Sequence, residues 1–262
     1  MPTPLDLTGL RGSLAPMFPI RDHNPSERTP YVTYALMALN IGVFLLYWPL
    51  FDQPQQLQSF FYDWALVPAA VSEGLSWHGF LTSMFLHGGL MHLGGNMLFL
   101  WIFGDNLEDE LGHVTYLLFY LAAGFAAGMA QYLSAPYSVV PMVGASGAIA
   151  GVMGGYLLLF PKAKVDILII IIIIFRIFPI PSWIMLGGWF ALQLFAGFGT
   201  TGDQGGVAYW AHAGGFVAGL LMMVPFWLRA GGTQYWNRNH GHPPHPDALY
   251  TDTRIPRVQR RR

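Results

Sequence analysis

The sequence predicts an all-α polytopic membrane protein, a bundle of six transmembrane helices with both termini in the cytoplasm. Three observations carry that prediction. Hydrophobic residues make up 53% of the 262 positions and charged residues only 10%, against about 25% charged in a soluble domain. Six stretches, 31–48, 79–103, 113–133, 143–160, 183–199 and 207–228, approach the ~20 mostly apolar residues that a helix needs to cross a bilayer. All 13 Lys and Arg residues fall in alternate connecting segments, 1–30, 104–112, 161–182 and 229–262, and none in 49–78, 134–142 or 200–206. Basic residues stay on the cytoplasmic side of a membrane, so this partition sets the orientation.

In chain order, 1–30 carries six prolines and no apolar core. It reads as a cytoplasmic N-terminal segment without signal-peptide character, and the first span is expected to serve as the insertion signal. The connection 49–78 contains Phe60, Phe61, Tyr62, Trp64 and Trp77, aromatics suited to the headgroup region. The second helix is expected to run past its span through Asp105–Glu110. The segment 165–178 is apolar and β-branched but short, holds Arg176 and is followed by Pro179 and Pro181. It reads as an interfacial or re-entrant approach to the fifth span, because a seventh span would break the charge partition. The membrane domain thus covers 31–228. Residues 229–262, polar, Pro-rich and ending in three arginines, read as a disordered cytoplasmic tail, with His240, His242 and His245 solvated rather than metal-binding.

The same composition excludes function classes. A net charge of −1 gives no basic surface for nucleic acid. The absence of cysteine removes disulfides and thiolate chemistry. No Asp or Glu lies in a predicted span, which excludes an intramembrane aspartyl pair and offers no acid for ion coupling. There is no H-E-x-x-H, and His87 and His92 are five residues apart rather than four, so neither a zinc helix nor any other metal or cofactor site is expected.

Polar groups inside spans are costly and mark function by default. Ser146 opens the fourth span, His212 stands near the start of the sixth, and His92 and Asn96 share a face of the second. At 1.5 Å rise per residue, Ser146 lies ~22 Å from Pro161 and His212 ~26 Å from Arg229, so the two reach similar depth. Gly147, Gly151 and Gly155 repeat every four residues, with Ser146, Ala150 and Gly154 beside them; His212, Gly215 and Gly219 share one stripe. Small-residue faces let helices approach closely in lipid, which brings the serine toward the imidazole. Singly, each has a plainer reading: a packing serine, a structural or ion-path histidine, an asparagine joining helices. Together they favour a site in which His212 activates Ser146 as a nucleophile. The Ser146 amide at its helix start, with His92 and Asn96, supplies donors for an oxyanion. No acid is available to orient His212, so the pair is expected to work as a dyad, with packing or a hydroxyl holding the ring.

These residues resemble the rhomboid family of intramembrane serine proteases over about 30–228. The resemblance rests on Gly144-Ala145-Ser146-Gly147, on Ala211-His212-Ala213-Gly214-Gly215 with Gly219, and on Thr82–Gly89 with His87. His92-x-x-x-Asn96, Phe103-Gly104-Asp105 and Gly112-His113 complete it. It implies a six-helix rhomboid-like fold, Ser146 as nucleophile, His212 as general base, and an oxyanion hole of His92, Asn96 and the Ser146 amide. It further implies that Gly144 allows the turn into the fourth span, that Gly215 and Gly219 allow tight packing, and that His87 is structural. Substrates would be single-span transmembrane proteins cut near the outer end of the span after a small residue. One departure stands out: the family often packs an aromatic on the catalytic histidine from one turn after the serine, and here that position is Ala150. Tyr209 or Trp210 is expected to take its place. The rival reading is a proteolytically inactive relative that binds membrane clients. The short tails suit a bacterial inner membrane, with an organelle membrane as the open alternative; substrate, pathway and oligomeric state leave no trace in the sequence.

Overall fold

The computed structural model describes residues 17–24, 26–171, 174–199 and 207–239. The chain is mostly helical. Among the described residues, four helices are long and apolar enough to cross a membrane: Tyr31–Asp52, whose α-helical part is α1 (Tyr31–Tyr47), then α6 (His113–Ser134), α8 (Ser182–Gly199) and α9 (Tyr209–Arg229). A shorter apolar helix, α7 (Ser146–Leu159), runs among them with eleven of its fourteen residues buried. The connection after α1 holds α2 (Pro54–Trp64) and α3 (Pro68–Ser72).

The predicted 79–103 span is not one helix. Residues 79–85 form α4 (Gly79–Thr82) and a 3-10 turn, and the long helix α5 starts only at Leu90 and runs to Leu111. The break falls at His87, whose backbone is held crosswise: Tyr47 Oη donates to its carbonyl at 2.8 Å and accepts from its amide at 2.6 Å. The expected continuation of this helix beyond Gly104 is present. Its end is clamped to the start of α1, since buried Glu108 accepts from the amides of Val32 (2.8 Å) and Thr33 (2.7 Å). A carboxylate there satisfies two of the unpaired N–H groups of a helix start. Gly112, at φ 73°, makes the one-residue corner into α6.

The segment 165–178 corrects the sequence reading. It is a hairpin, β2 (Lys164–Ile171) and β3 (Ile174–Pro181), and β2 also pairs antiparallel with β1 (Met17–Asp22). β-Branched residues fit a pleated strand better than a helix. The prolines are tolerated because β3 is an edge strand. Part of the N-terminal segment is therefore structured: Asp166 accepts from Arg21 at 2.7 Å and pairs with His23 at 2.8 Å.

Residues 233–239, expected to lie in a disordered tail, are helical instead. Helix α10 (Thr233–Asn239) folds back, with Tyr235 buried, Trp236 Nε1 donating to the Leu158 carbonyl at 2.9 Å, and its ring 4.7 Å from that of Trp227. An aromatic residue with one donor can bury its ring and still satisfy its N–H at the bare end of α7. His240, His242 and His245 lie outside the described residues.

Candidate active site

The site starts from the contact between α7 and α9. A Cβ added at Gly215 would lie inside van der Waals contact of the Gly147 carbonyl, one at Gly219 inside that of Gly151, and one at Gly154 inside that of Phe216. The two backbones touch, so small residues are required on both faces. This brings Ser146, the first residue of α7, to His212 on the first turns of α9: Oγ stands 2.7 Å from Nε2. The depth matching read from two separate helices thus corresponds to a hydrogen bond.

Gly144 makes the turn before Ser146 with φ 127°, a conformation that side chains disfavour. A Cβ there would also lie 2.7 Å from His92 Nε2. The amide of Gly144 donates to the Ser83 carbonyl at 2.9 Å, which ties the turn to the 3-10 turn that precedes α5. Ser146, as the first helical residue, has an amide without an intrahelical acceptor.

His92, Asn96, Ser146 and His212 all line one cavity of about 620 Å³, together with Trp189 and Gln131. His92 Nδ1 accepts from the Gly88 amide at 3.3 Å, and its ring meets that of fully buried His87 edge to face at 5.2 Å. Asn96 is buried and its Nδ2 has no partner among the described residues. A buried amide donor left open toward a cavity is costly unless something bound there accepts from it.

The orientation of His212 was not foreseen. Neither Tyr209 nor Trp210 packs on it; Trp210 stacks edge-on against Phe198. The aromatic on the imidazole is Trp189 of α8, with ring centroids 5.6 Å apart, and the polar partner is Gln193, whose Oε1 lies 2.8 Å from His212 Nδ1. A signal for Gln193 existed: it is the one amide side chain in the predicted fifth span, and polar residues at depth usually join helices. Gln131 was passed over in the same way; its Oε1 accepts from the Ala211 amide at 3.3 Å, supporting the start of α9.

The family model described as Rhomboid domain matches residues 74–229. The chain is 34% identical over 197 residues to "Rhomboid protein 1, mitochondrial" of Saccharomyces cerevisiae, covering 72% of this chain and 51% of that protein. It is 35% identical over 128 residues to "Rhomboid protease GluP" of Bacillus subtilis (49% of this chain, 24% of that protein). To "Rhomboid-like protein 11, chloroplastic" of Arabidopsis thaliana it is 30% identical over 144 residues (54% and 48%). The chain thus spans about half or less of the length of these relatives.

Proposed function

This chain belongs to the rhomboid family and is an integral membrane protein, and from that premise we propose that it is an intramembrane serine endopeptidase working through a Ser146–His212 dyad. The observation that carries the reading is the 2.7 Å contact between Ser146 Oγ and His212 Nε2 at the wall of a cavity that also holds the unpartnered Asn96 amide.

In the proposed reaction His212 Nε2 takes the hydroxyl proton as Ser146 Oγ attacks the carbonyl carbon of the scissile bond. The oxyanion that forms is met by donors already in place: the Ser146 amide, Asn96 Nδ2 and the His92 ring. Collapse expels the amine, which receives the proton from His212, and leaves an ester on Ser146. Water enters through the cavity, gives a proton to His212, and attacks the ester; the proton then returns to Oγ. No cofactor takes part. Gly144 serves by allowing the turn into α7, Gly147, Gly215 and Gly219 by letting the helices approach closely, and His87 by holding the corner before α5.

Six spans are proposed, α5 and α7 being added to the four long apolar helices, with both termini cytoplasmic on the strength of the basic-residue partition. Substrates are proposed to be transmembrane proteins with a single span, cut within or near it. The relatives' names run from mitochondrial and chloroplastic to a Bacillus protein, so a bacterial cell membrane gains no support from them.

The test needs no known substrate. Detergent-solubilised protein is treated with a fluorophosphonate and the adduct mapped by mass spectrometry, beside His212→Ala. An adduct on Ser146 that disappears in the variant is expected. A folded, monodisperse wild type that forms none would overturn the protease reading in favour of a client-binding relative without proteolytic activity.

A further inference from the structure

The geometry points to Gln193 as the positioning residue of the dyad, a neutral amide standing where other serine hydrolases keep an acid; this rests on the protease reading above. The amide oxygen can only accept, and it lies 2.8 Å from His212 Nδ1. Nδ1 must therefore carry the ring proton, which leaves Nε2 with the lone pair that faces Ser146 Oγ at 2.7 Å. In the opposite tautomer two lone pairs would meet at Nδ1, and an N–H would face the hydroxyl that has to be deprotonated. The amide itself is oriented by a second, longer contact, Nε2 donating to the Trp189 carbonyl at 3.5 Å.

Trp189 and Gln193 are four residues apart and so share a face of α8. One covers the face of the imidazole, the other binds its edge. The ring contact and the Nδ1 hydrogen bond of His212 thus both come from a helix with only three of eighteen residues buried. An amide differs from a carboxylate in one respect that matters chemically. It selects the tautomer but brings no negative charge to balance the imidazolium formed during attack. Positioning, rather than charge, is what Gln193 supplies.

The two roles open to a glutamine in a span give opposite orders of variants. If Gln193 only packs, Leu is the best substitute in an apolar helix and Glu the worst. If it accepts from Nδ1, Glu keeps the function and Leu loses it. The experiment measures fluorophosphonate labelling of Ser146, and cleavage of a transmembrane reporter in liposomes, for wild type, Gln193→Glu, Gln193→Leu and Gln193→Met. Met serves as a second apolar variant of nearly the same shape should Leu fail to fold. The expected result is a kcat lowered about 10- to 100-fold in Leu and Met, less than loss of the base itself. KM should change by less than about threefold, as for an interaction made only in the transition state. Gln193→Glu should stay within about fivefold of wild type, as rescue by a second acceptor requires. Leu or Met variants that label Ser146 as fast as wild type, or a Glu variant no better than Leu, would overturn the assignment. A wild type that does not label at Ser146 would instead overturn the protease reading beneath it.

Discussion

His212 is held between two helices that differ in nearly every respect. On one side α7 meets α9 backbone to backbone through Gly147, Gly151, Gly154, Gly215 and Gly219, with eleven of fourteen α7 residues buried. On the other, α8 reaches α9 through long side chains, Trp189 to His212 and Phe190 to Phe216 at 4.7 Å. Helix α7 is also pinned far from the site, where Tyr156 Oη donates to Asp22 at 2.7 Å. Helix α8 is fastened mainly at its first turn, where Ser182 and Trp183 donate to the carbonyls of Phe160, Ala163 and Pro161. The lesson is a division of labour. Ser146 sits on a contact with no slack, whereas the groups that touch the His212 ring sit on a helix joined to the bundle by adjustable side chains. Distances at the first contact are set by backbone, and at the second by rotamers.

The largest effect is expected from filling the rigid contact. Gly219→Val puts branched carbons where the Gly151 carbonyl already lies, and neither backbone has room to retreat. The cost should exceed the ~1–3 kcal/mol typical of an overpacked core. The check is the yield of monodisperse protein and its thermal unfolding; a folded variant with wild-type labelling at Ser146 would show that the contact has slack after all.

Next in size is the far anchor of α7. Burial, opposed by the Tyr156 hydrogen bond and reinforced by the nearby charge of Asp105, pushes the Asp22 carboxyl up to about 7 from its ordinary 3.8. Asn106 Nδ2 bridges the two acids, at 3.0 Å from Asp22 and 2.7 Å from Asp105. An acid whose folded pKa is raised binds its proton more tightly in the folded state. Its contribution is complete below the unfolded value and is lost as pH rises through the folded one. Stability should therefore fall between about pH 4 and pH 7, by at most about 4 kcal/mol at ~1.4 kcal/mol per unit, and level off above. Asp22→Asn should flatten that fall. Thermal unfolding of both proteins across pH 4–8 measures it, and equal slopes would remove Asp22 from the account.

On the loose side a smaller effect on stability but a clear one on rate is expected. Trp189→Ala removes the ring from the face of His212, a contact worth roughly 0.5–1.5 kcal/mol, so labelling of Ser146 should slow about tenfold or less. Unfolding should move little, because Trp189 is only partly buried. A loss of stability comparable with Gly219→Val would mean that α8 is no looser than α7. Ala150 is 1% exposed in the close-packed helix, so Ala150→Phe has to displace neighbours there.

What was legible in the sequence follows the same divide. Ser146, His212 and the glycine faces announced themselves because backbone contact demands small residues at fixed helical spacing, and such spacing is visible in one chain. The hairpin was missed because a run of Val and Ile suits a span, an interfacial segment and a strand alike; only its pairing with Met17–Asp22 decides, and that partner lies some 140 residues away. Gln193 and Trp189 were missed because their role depends on which face α8 turns to α9. Nothing local in the fifth span encodes that choice. The break at His87 was hidden for a related reason, since it depends on Tyr47 in another helix.

The smallest predicted effect tests the looseness of α8 most directly. Gly187 and Gly188 lie in its interior, and a Cβ added at either meets nothing within 4 Å. In a helix interior alanine is favoured over glycine by about 0.5–1 kcal/mol, so Gly187→Ala and Gly188→Ala should leave unfolding unchanged or slightly raised, with Ser146 labelling at the wild-type rate. Gly197 on the same helix is the control: a Cβ there would stand 3.3 Å from the Trp210 ring, and Gly197→Ala should be neutral only if that ring yields. Slower reporter cleavage in Gly187→Ala or Gly188→Ala, with labelling by the small probe unchanged, would mean that the open face of α8 is occupied during turnover by the substrate's own helix. The comparison between the two sides of His212 would then be one between a fixed contact and one completed by substrate.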